Sequence, residues 1–293
     1  RGRCPCCRIG KNSKDAKVSM EDRKHLLIDI DEVLRKKAPN KKFPKFLVNF
    51  MKARIHQDQL NDAIIHAKEP VGLGFFDEAL RYVNITYNVE GLENIDPNGR
   101  YIIAGNHPFG GPEALIIGSV LGKVFGPHFK FPVNNILSQF HPLEEFFVGI
   151  NTTGGVQNRE ILANMRALFD GDDQVVMYPA GKCARLRHGK VTELEWKKMF
   201  ISEARRTHRD VVPMFIVGRN SRFFYFVTAL CELLHMKVNV GMFMLVDELF
   251  KTHPNKCFRM IIGKPIKWET FDKSKSDMEW AAYVREICIN LEK

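Results

Sequence analysis

The chain has 293 residues, 45% hydrophobic and 27% charged, enough apolar material for one large or two small cored domains, so disorder is excluded as the default. Lysine and arginine outnumber aspartate and glutamate by 44 to 34, and the resulting charge of +10 calls for an anionic partner: nucleic acid, a membrane surface or an acidic carrier. No run approaches the ~18 uninterrupted apolar residues of a membrane-spanning helix. The longest candidate, "FFYFVTALCELLHM" from Phe223 to Met236, is too short and carries Glu232, and no apolar leader marks the N-terminus. The expectation is a soluble or peripheral protein.

Residues 1–18 read as a disordered tail. Cys4, Cys6 and Cys7 lack a second Cys/His pair at finger-like spacing, so no metal is expected, and an odd total of seven scattered cysteines suits a reduced compartment. Residues 19–81 read as an N-terminal helical segment. Its first helix is expected over Ser19–Lys37, opened by Ser19-x-x-Asp22 and striped by Leu26, Leu27, Ile30, Val33 and Leu34, with Pro39 beyond its end. "KKFPKFLVNFMKARIH" then interleaves Lys41, Lys42, Lys45, Lys52 and Arg54 with Phe43, Phe46, Leu47, Phe50 and Met51. That pattern fits a helix lying in a membrane interface, and equally a core helix with a solvated basic rim.

From Tyr82 onward short apolar runs alternate with helical patterns. "NITYNVEG", "RYIIAG", "HFKFPV", "FFVGIN", "QVVMYP", "VVPMFIVG" and "FRMIIGKPI" are the strand candidates. Helices are expected over Asn158–Phe169, from a start at Thr192-x-x-Glu195, and from Ser276-x-x-Glu279 with Trp280, Val284, Ile287 and Leu291 on one side. Alternation of this kind predicts an α/β fold: a mixed, largely parallel central sheet flanked by helices, with the helical segment before it.

"AGNHPFGGPEA" places Asn106, His107, Gly110, Gly111 and Glu113 between a strand and a helix that starts at Pro112. A histidine of near-neutral pKa can take a proton from an attacking group, and a carboxylate on its far nitrogen sets its tautomer and stabilises the cation. The Gly110-Gly111 pair would let the chain turn back to bring the two together. The alternative is an Asn-His loop satisfied by backbone, with Glu113 favouring the N-terminus of its helix. Three more segments end a strand with glycine and cations. They are "NTTGGVQNRE" with Gly154, Gly155 and Arg159; "YPAGKCARLRHGK" with Pro179, Gly181, Lys182 and Arg185; and "VVPMFIVGRNS" with Gly218-Arg219-Asn220. Such loops suit phosphate or carboxylate groups, or are simply solvated.

The ordered set of strand, Asn-His, downstream acid, Gly/Arg block, aromatic-Pro-x-Gly block and V-x-P strand resembles the phospholipid/glycerol acyltransferase (lysophospholipid acyltransferase-like) family over about Val89 to Pro265. The family's first block usually has four residues between His and Asp. Here five separate His107 from Glu113, which, with "NHPFGG" and Tyr178-Pro179-Ala180-Gly181, resembles the bacterial hemolysin-labelled branch that contains aminolipid N-acyltransferases.

The resemblance implies an acyltransferase domain over 82–293 that moves a fatty acyl group from a thioester of acyl carrier protein or coenzyme A. An amine acceptor, as in glycine- or ornithine-lipid synthesis, is slightly ahead of a lysophospholipid hydroxyl. His107 and Glu113 would be catalytic, and Asn106, Gly154, Gly155, Arg159, Pro179, Gly181, Lys182 and Arg185 would hold substrate. No cofactor is implied, because a thioester is already activated. The place implied is cytoplasmic, on the inner face of the membrane, against anionic lipid. Two other classes stand against this reading: a membrane-perturbing hemolysin, for which no long apolar segment speaks, and a nucleic-acid binder, which lacks a reading module and is not expected.

Overall fold

The computed structural model describes residues 23–37, 43–134, 137–150, 159–187, 189–233 and 240–293. Helices α1 (Ile30–Lys37), α2 (Lys45–Arg54), α3 (Gln57–His66) and α4 (Gly74–Tyr82) precede strand β1 (Thr86–Glu90). Then come β2 (Tyr101–Gly105), α5 (Pro112–Phe125), β3 (Phe129–Asn134), β4 (Phe147–Ile150), α6 (Arg159–Asp170) and β5 (Gln174–Met177). A small hairpin of β6 (Arg185–Arg187) and β7 (Lys190–Thr192) leads into α7 (Met199–Thr207). The chain continues with β8 (Asp210–Val217), α8 (Arg222–Leu233), α9 (Val240–Lys251), β9 (Cys257–Ile262) and α10 (Asp277–Asn290).

The main sheet runs β1-β9-β8-β2-β5-β3-β4, and every neighbouring pair is parallel except β8 with β9. All seven strand candidates form this sheet. Central β2, "YIIAG", is buried along its whole length, as a strand covered on both faces must be. Its side chains alternate: Ile103 joins Ile116, Phe129 and Met214 on one face, while Ile102 and Ala104 join Val175, Phe200 and Val211 on the other. Helices α4 and α5 cover the first face, and α6, α7 and α10 the second. Gly118 allows α4 and α5 their close approach, since a Cβ there would lie 2.3 Å from the Phe76 ring. Phe75, Phe76 and Leu80 of α4 share one core with the sheet.

At the amino ends of the central strands the fully buried Arg209 donates to the carbonyls of Phe169 (3.0 Å), Tyr101 (3.2 Å), Asp173 (2.8 Å) and Gly171 (2.5 Å). Burial, and then the neighbouring Arg100 charge, push its pKa down to about 10.

Several expected elements differ. The first helix begins at Ile30, not Ser19: residues 19–22 lie outside the described residues, Lys24–Leu26 form a single 3-10 turn, and the next residues run extended. Asn61 explains the break, because its side chain accepts from Ile28 N (2.8 Å) and donates to Ile28 O (3.0 Å), taking both ladder groups from the helix. The helix expected from Thr192 begins instead at Met199, because Thr192 pairs with Arg185 in the hairpin and the Glu193 side chain turns to Trp196. The capping box Ser276/Glu279 opens α10 as read. In α2, Val48 is buried against Ile30 and Ile55, while Phe46 (75%) and Phe50 (56%) stand in solvent. Lys52 pairs with Asp31 and Arg54 with Asp247, whereas Lys41 and Lys42 lie outside the described residues.

Candidate active site

Because β2, β5 and β8 are parallel neighbours, the loops that follow them open at the same edge of the sheet, the edge where open α/β folds gather their chemistry. His107 follows β2, Tyr178 to Lys182 follow β5, and Gly218 to Asn220 follow β8.

The loop after β2 folds back on itself through Gly110, whose φ of +86° lies in the region that favours glycine. A Cβ on Gly110 would lie 2.5 Å from Leu245 and 2.7 Å from Cys183 Sγ. Pro112 then starts α5 and sets Glu113 in its first turn, fully buried. Oε1 of Glu113 accepts from His107 Nδ1 at 2.7 Å, Gly110 N at 2.6 Å and Phe109 N at 3.2 Å, and Oε2 accepts from Gly111 N at 2.9 Å. One carboxylate thus serves both purposes considered from the sequence: it orients the imidazole and satisfies backbone N–H groups at the helix start. Burial pushes the Glu113 pKa up, yet the His107 cation and the backbone donors outweigh it and hold the carboxyl below its usual value. His107 moves the other way. Burial disfavours its cation, but the neighbouring Cys183 and the Glu113 carboxylate together raise its pKa well above 6.5. With Nδ1 facing a carboxylate, the neutral ring keeps its proton there and leaves Nε2 as the basic atom.

The Tyr178 ring stacks on His107 with centroids 4.2 Å apart and planes 13° from parallel. Its hydroxyl is buried without a hydrogen-bond partner among the described residues, and burial pushes its pKa well up. The backbone of His107 is clamped, its carbonyl accepting from Ala184 N at 2.9 Å and its N–H donating to Glu193 Oε2 at 3.3 Å. Burial raises the Glu193 pKa. Asn220 joins the β8 loop to the same turn, donating to the carbonyls of Pro108 and Phe109 at 3.2 Å each while His253 Nε2 meets its Oδ1 at 2.9 Å. Burial pushes the His253 pKa down to about 4, so that ring is neutral.

Of the residues expected to act, His107 and Glu113 are in contact. Asn106 beside them is buried, and both ends of its amide are used by Ile216, accepting from its N–H at 2.8 Å and donating to its carbonyl at 3.0 Å. Pro179 is buried in the turn after β5, and Gly181 makes that turn at φ +69°. Lys182 is exposed. Arg185 donates to the carbonyls of Cys183 (2.9 Å) and Ala184 (3.3 Å), pairs with Glu232 at 3.3 Å and lies over the Phe224 ring. Arg159 is exposed at the start of α6, away from any described partner, and Gly154 and Gly155 lie outside the described residues. Sequence reasoning passed over Cys183, Glu193 and the stacking of Tyr178. "YPAGKCAR" did contain the first and the last of these, but no spacing rule brings a thiol near, or stacks a ring on, a histidine some 70 residues away.

A two-sided α/β sheet with a half-buried imidazole held on a buried carboxylate at its carboxyl edge is the framework of an enzyme. The chain belongs to the acyltransferase family, whose model matches residues 32–293. Over 274 residues it is 40% identical to the lyso-glycine lipid O-acyltransferase of Bacteroides thetaiotaomicron, spanning 93% of this chain and 100% of the relative. The protein of the same name from Phocaeicola vulgatus is 38% identical over 274 residues, 93% and 98% of the two chains. Among solved structures it is similar to the 1-acyl-sn-glycerophosphate (LPA) acyltransferase PlsC from Thermotoga maritima, with 18% identity and a TM-score of 0.47, covering 84% of this chain and 88% of that one. The protein is an acyltransferase of lipid metabolism.

Proposed function

We propose that the protein esterifies the hydroxyl of a lyso-glycine lipid, drawing the fatty acyl group from a thioester of acyl carrier protein or coenzyme A, at an anionic membrane surface on the cytoplasmic side. The observation that carries the reading is the 2.7 Å contact of His107 Nδ1 with the buried Glu113, which leaves Nε2 to serve as base. Nε2 takes the hydroxyl proton as the oxygen attacks the thioester carbonyl. The C–O bond forms, the C–S bond breaks, and the proton passes to the departing thiolate. Glu113 stays ionised and stabilises the imidazolium. The sequence favoured an amine acceptor; the names of both relatives favour an oxygen, and an oxygen needs the base more, because a hydroxyl is the poorer nucleophile until its proton leaves.

The test is incubation of the purified protein with labelled acyl thioesters of both carriers and a panel of lyso-glycine lipid, free glycine and lysophosphatidic acid. The expected product is an alkali-labile ester of the lyso-glycine lipid, missing with His107→Ala. An amide product, or preferential acylation of lysophosphatidic acid, would overturn the acceptor assignment.

A further inference from the structure

The outer face of α8 is apolar and is covered by no other described element. Phe223 (55%), Phe226 (63%), Leu230 and Leu233 (74%) are exposed at spacings of three, four and three, which is one stripe of a helix, while Phe224, Tyr225 and Thr228 on the other side are buried toward Met244 of α9. The β6–β7 hairpin packs beside α8, joined to it by Arg185 over Phe224 and paired with Glu232, and presents the cross-strand pair Leu186 and Val191, both exposed. Around this apolar surface stand Arg187, Lys190, Arg219 and Arg222, all exposed and none in an ion pair among the described residues. The neighbouring acid, Glu232, is neutralised by Arg185.

Both elements leave directly from the catalytic turn. Ala184, one residue before β6, holds the His107 carbonyl, and Asn220, two residues before α8, holds those of Pro108 and Phe109. The geometry points to a docking surface for an anionic lipid bilayer, formed by the α8 stripe and the β6–β7 hairpin, that sets the mouth of the His107 site at headgroup level. Apolar side chains enter the acyl boundary and the four cations meet the headgroups, which is the division of labour of an interfacial helix. The inference rests on the lipid-acceptor reading above only for its turnover arm.

The test uses two double variants of exposed residues, Phe226→Ser/Leu233→Ser and Arg187→Gln/Arg222→Gln, with the thermal midpoint as a check on folding. Flotation with phosphatidylcholine vesicles, with and without phosphatidylglycerol, should show about a tenfold or greater loss of binding for the first variant on both compositions. The second should lose the preference for phosphatidylglycerol and its sensitivity to salt. Transfer to a lyso-lipid held in vesicles should fall with binding, while transfer to a short-chain monomeric acceptor stays as in the parent. Unchanged vesicle binding in both variants overturns the inference. So does a parent dimer that the apolar variant converts to monomer with vesicle binding intact, which would assign the stripe to a second copy. Loss of affinity for acyl carrier protein alone in the charge variant would assign the cations to that protein and overturn it as well. A parent that floats but acylates no lipid leaves this surface standing and removes the acceptor assignment.

Discussion

A general base has to be neutral before it can act, and His107 is held in surroundings that favour its cation. Its raised folded pKa contributes stability that is complete below the unfolded value of about 6.5 and is lost as pH rises through the folded value. Glu113 has the opposite sign: with its folded pKa lowered, its contribution is present above an unfolded value of about 4.3 and is lost as pH falls through the folded one. If His107 is the proposed base, turnover needs it neutral, and kcat/KM should rise with pH along a limb whose midpoint lies above the ordinary histidine value, reported as a property of the pair. Glu113→Gln removes a cause of the raised pKa and the charge that stabilises the transition state. The limb should therefore move to lower pH while the plateau falls, and a pH–rate profile reads both.

Removing the base by His107→Ala should lower turnover by ~10²-fold or more. The double variant with Glu113→Gln should be little worse than His107→Ala alone, because residues that act as one unit are non-additive. Losses that multiplied would reassign Glu113 to the backbone N–H groups it also holds. Cys183→Ala should shift the same limb downward, since Cys183 is the first of the neighbours that raise the His107 pKa.

At the scale of elements, Arg209 is where stability can be tested apart from chemistry. Its buried guanidinium serves four carbonyls from β2, α6 and the loop before β5. Arg209→Met keeps much of the bulk but removes the guanidinium donors to Tyr101 O and Asp173 O, while Phe169 O and Gly171 O keep Arg100, and it should cost about 2 kcal/mol in denaturant unfolding with the His107 limb unaltered. The strands of the main sheet were legible because each is a compact apolar run between turn residues, and α10 because Ser276 and Glu279 spell out its cap. The β6–β7 hairpin was not. Its strands are three residues each and almost wholly exposed, so neither carries a hydrophobic period, and Thr192 reads as a helix cap until its pairing with Arg185 is seen. The start of α1 was misplaced for a related reason. The Leu26–Leu34 stripe is continuous in sequence, but Asn61, from a helix some 30 residues on, captures the backbone of Ile28. Within the site, His107 and Glu113 were legible from local spacing. Glu193 was not, because it reaches the His107 amide across 86 residues of chain.

Across the whole molecule, two exposed aromatic faces are linked through one helix. Helix α2 packs on α9, tied there by Arg54 (3.2 Å) and His56 (2.9 Å) to Asp247, and α8 packs on α9 from the same helical group. Phe46 and Phe50 on α2 are as open to solvent as the stripe on α8, and Lys45 beside them adds charge of the same sign. The sequence left open whether α2 is an interfacial helix or a core helix with a basic rim. Its two ends of that choice now predict different numbers. If α2 enters the same bilayer as α8, Phe46→Ser/Phe50→Ser should weaken vesicle binding by about tenfold. Combined with Phe226→Ser/Leu233→Ser, the two losses should multiply, because separate contacts of one rigid body with one surface contribute additively to the free energy. Binding of the parent should rise with phosphatidylglycerol and fall with salt, as a +10 protein on an anionic surface requires. If the α2 variant floats like the parent while the α8 variant does not, Phe46 and Phe50 face water, α2 serves the small cluster around Val48, and only one face of the molecule meets lipid.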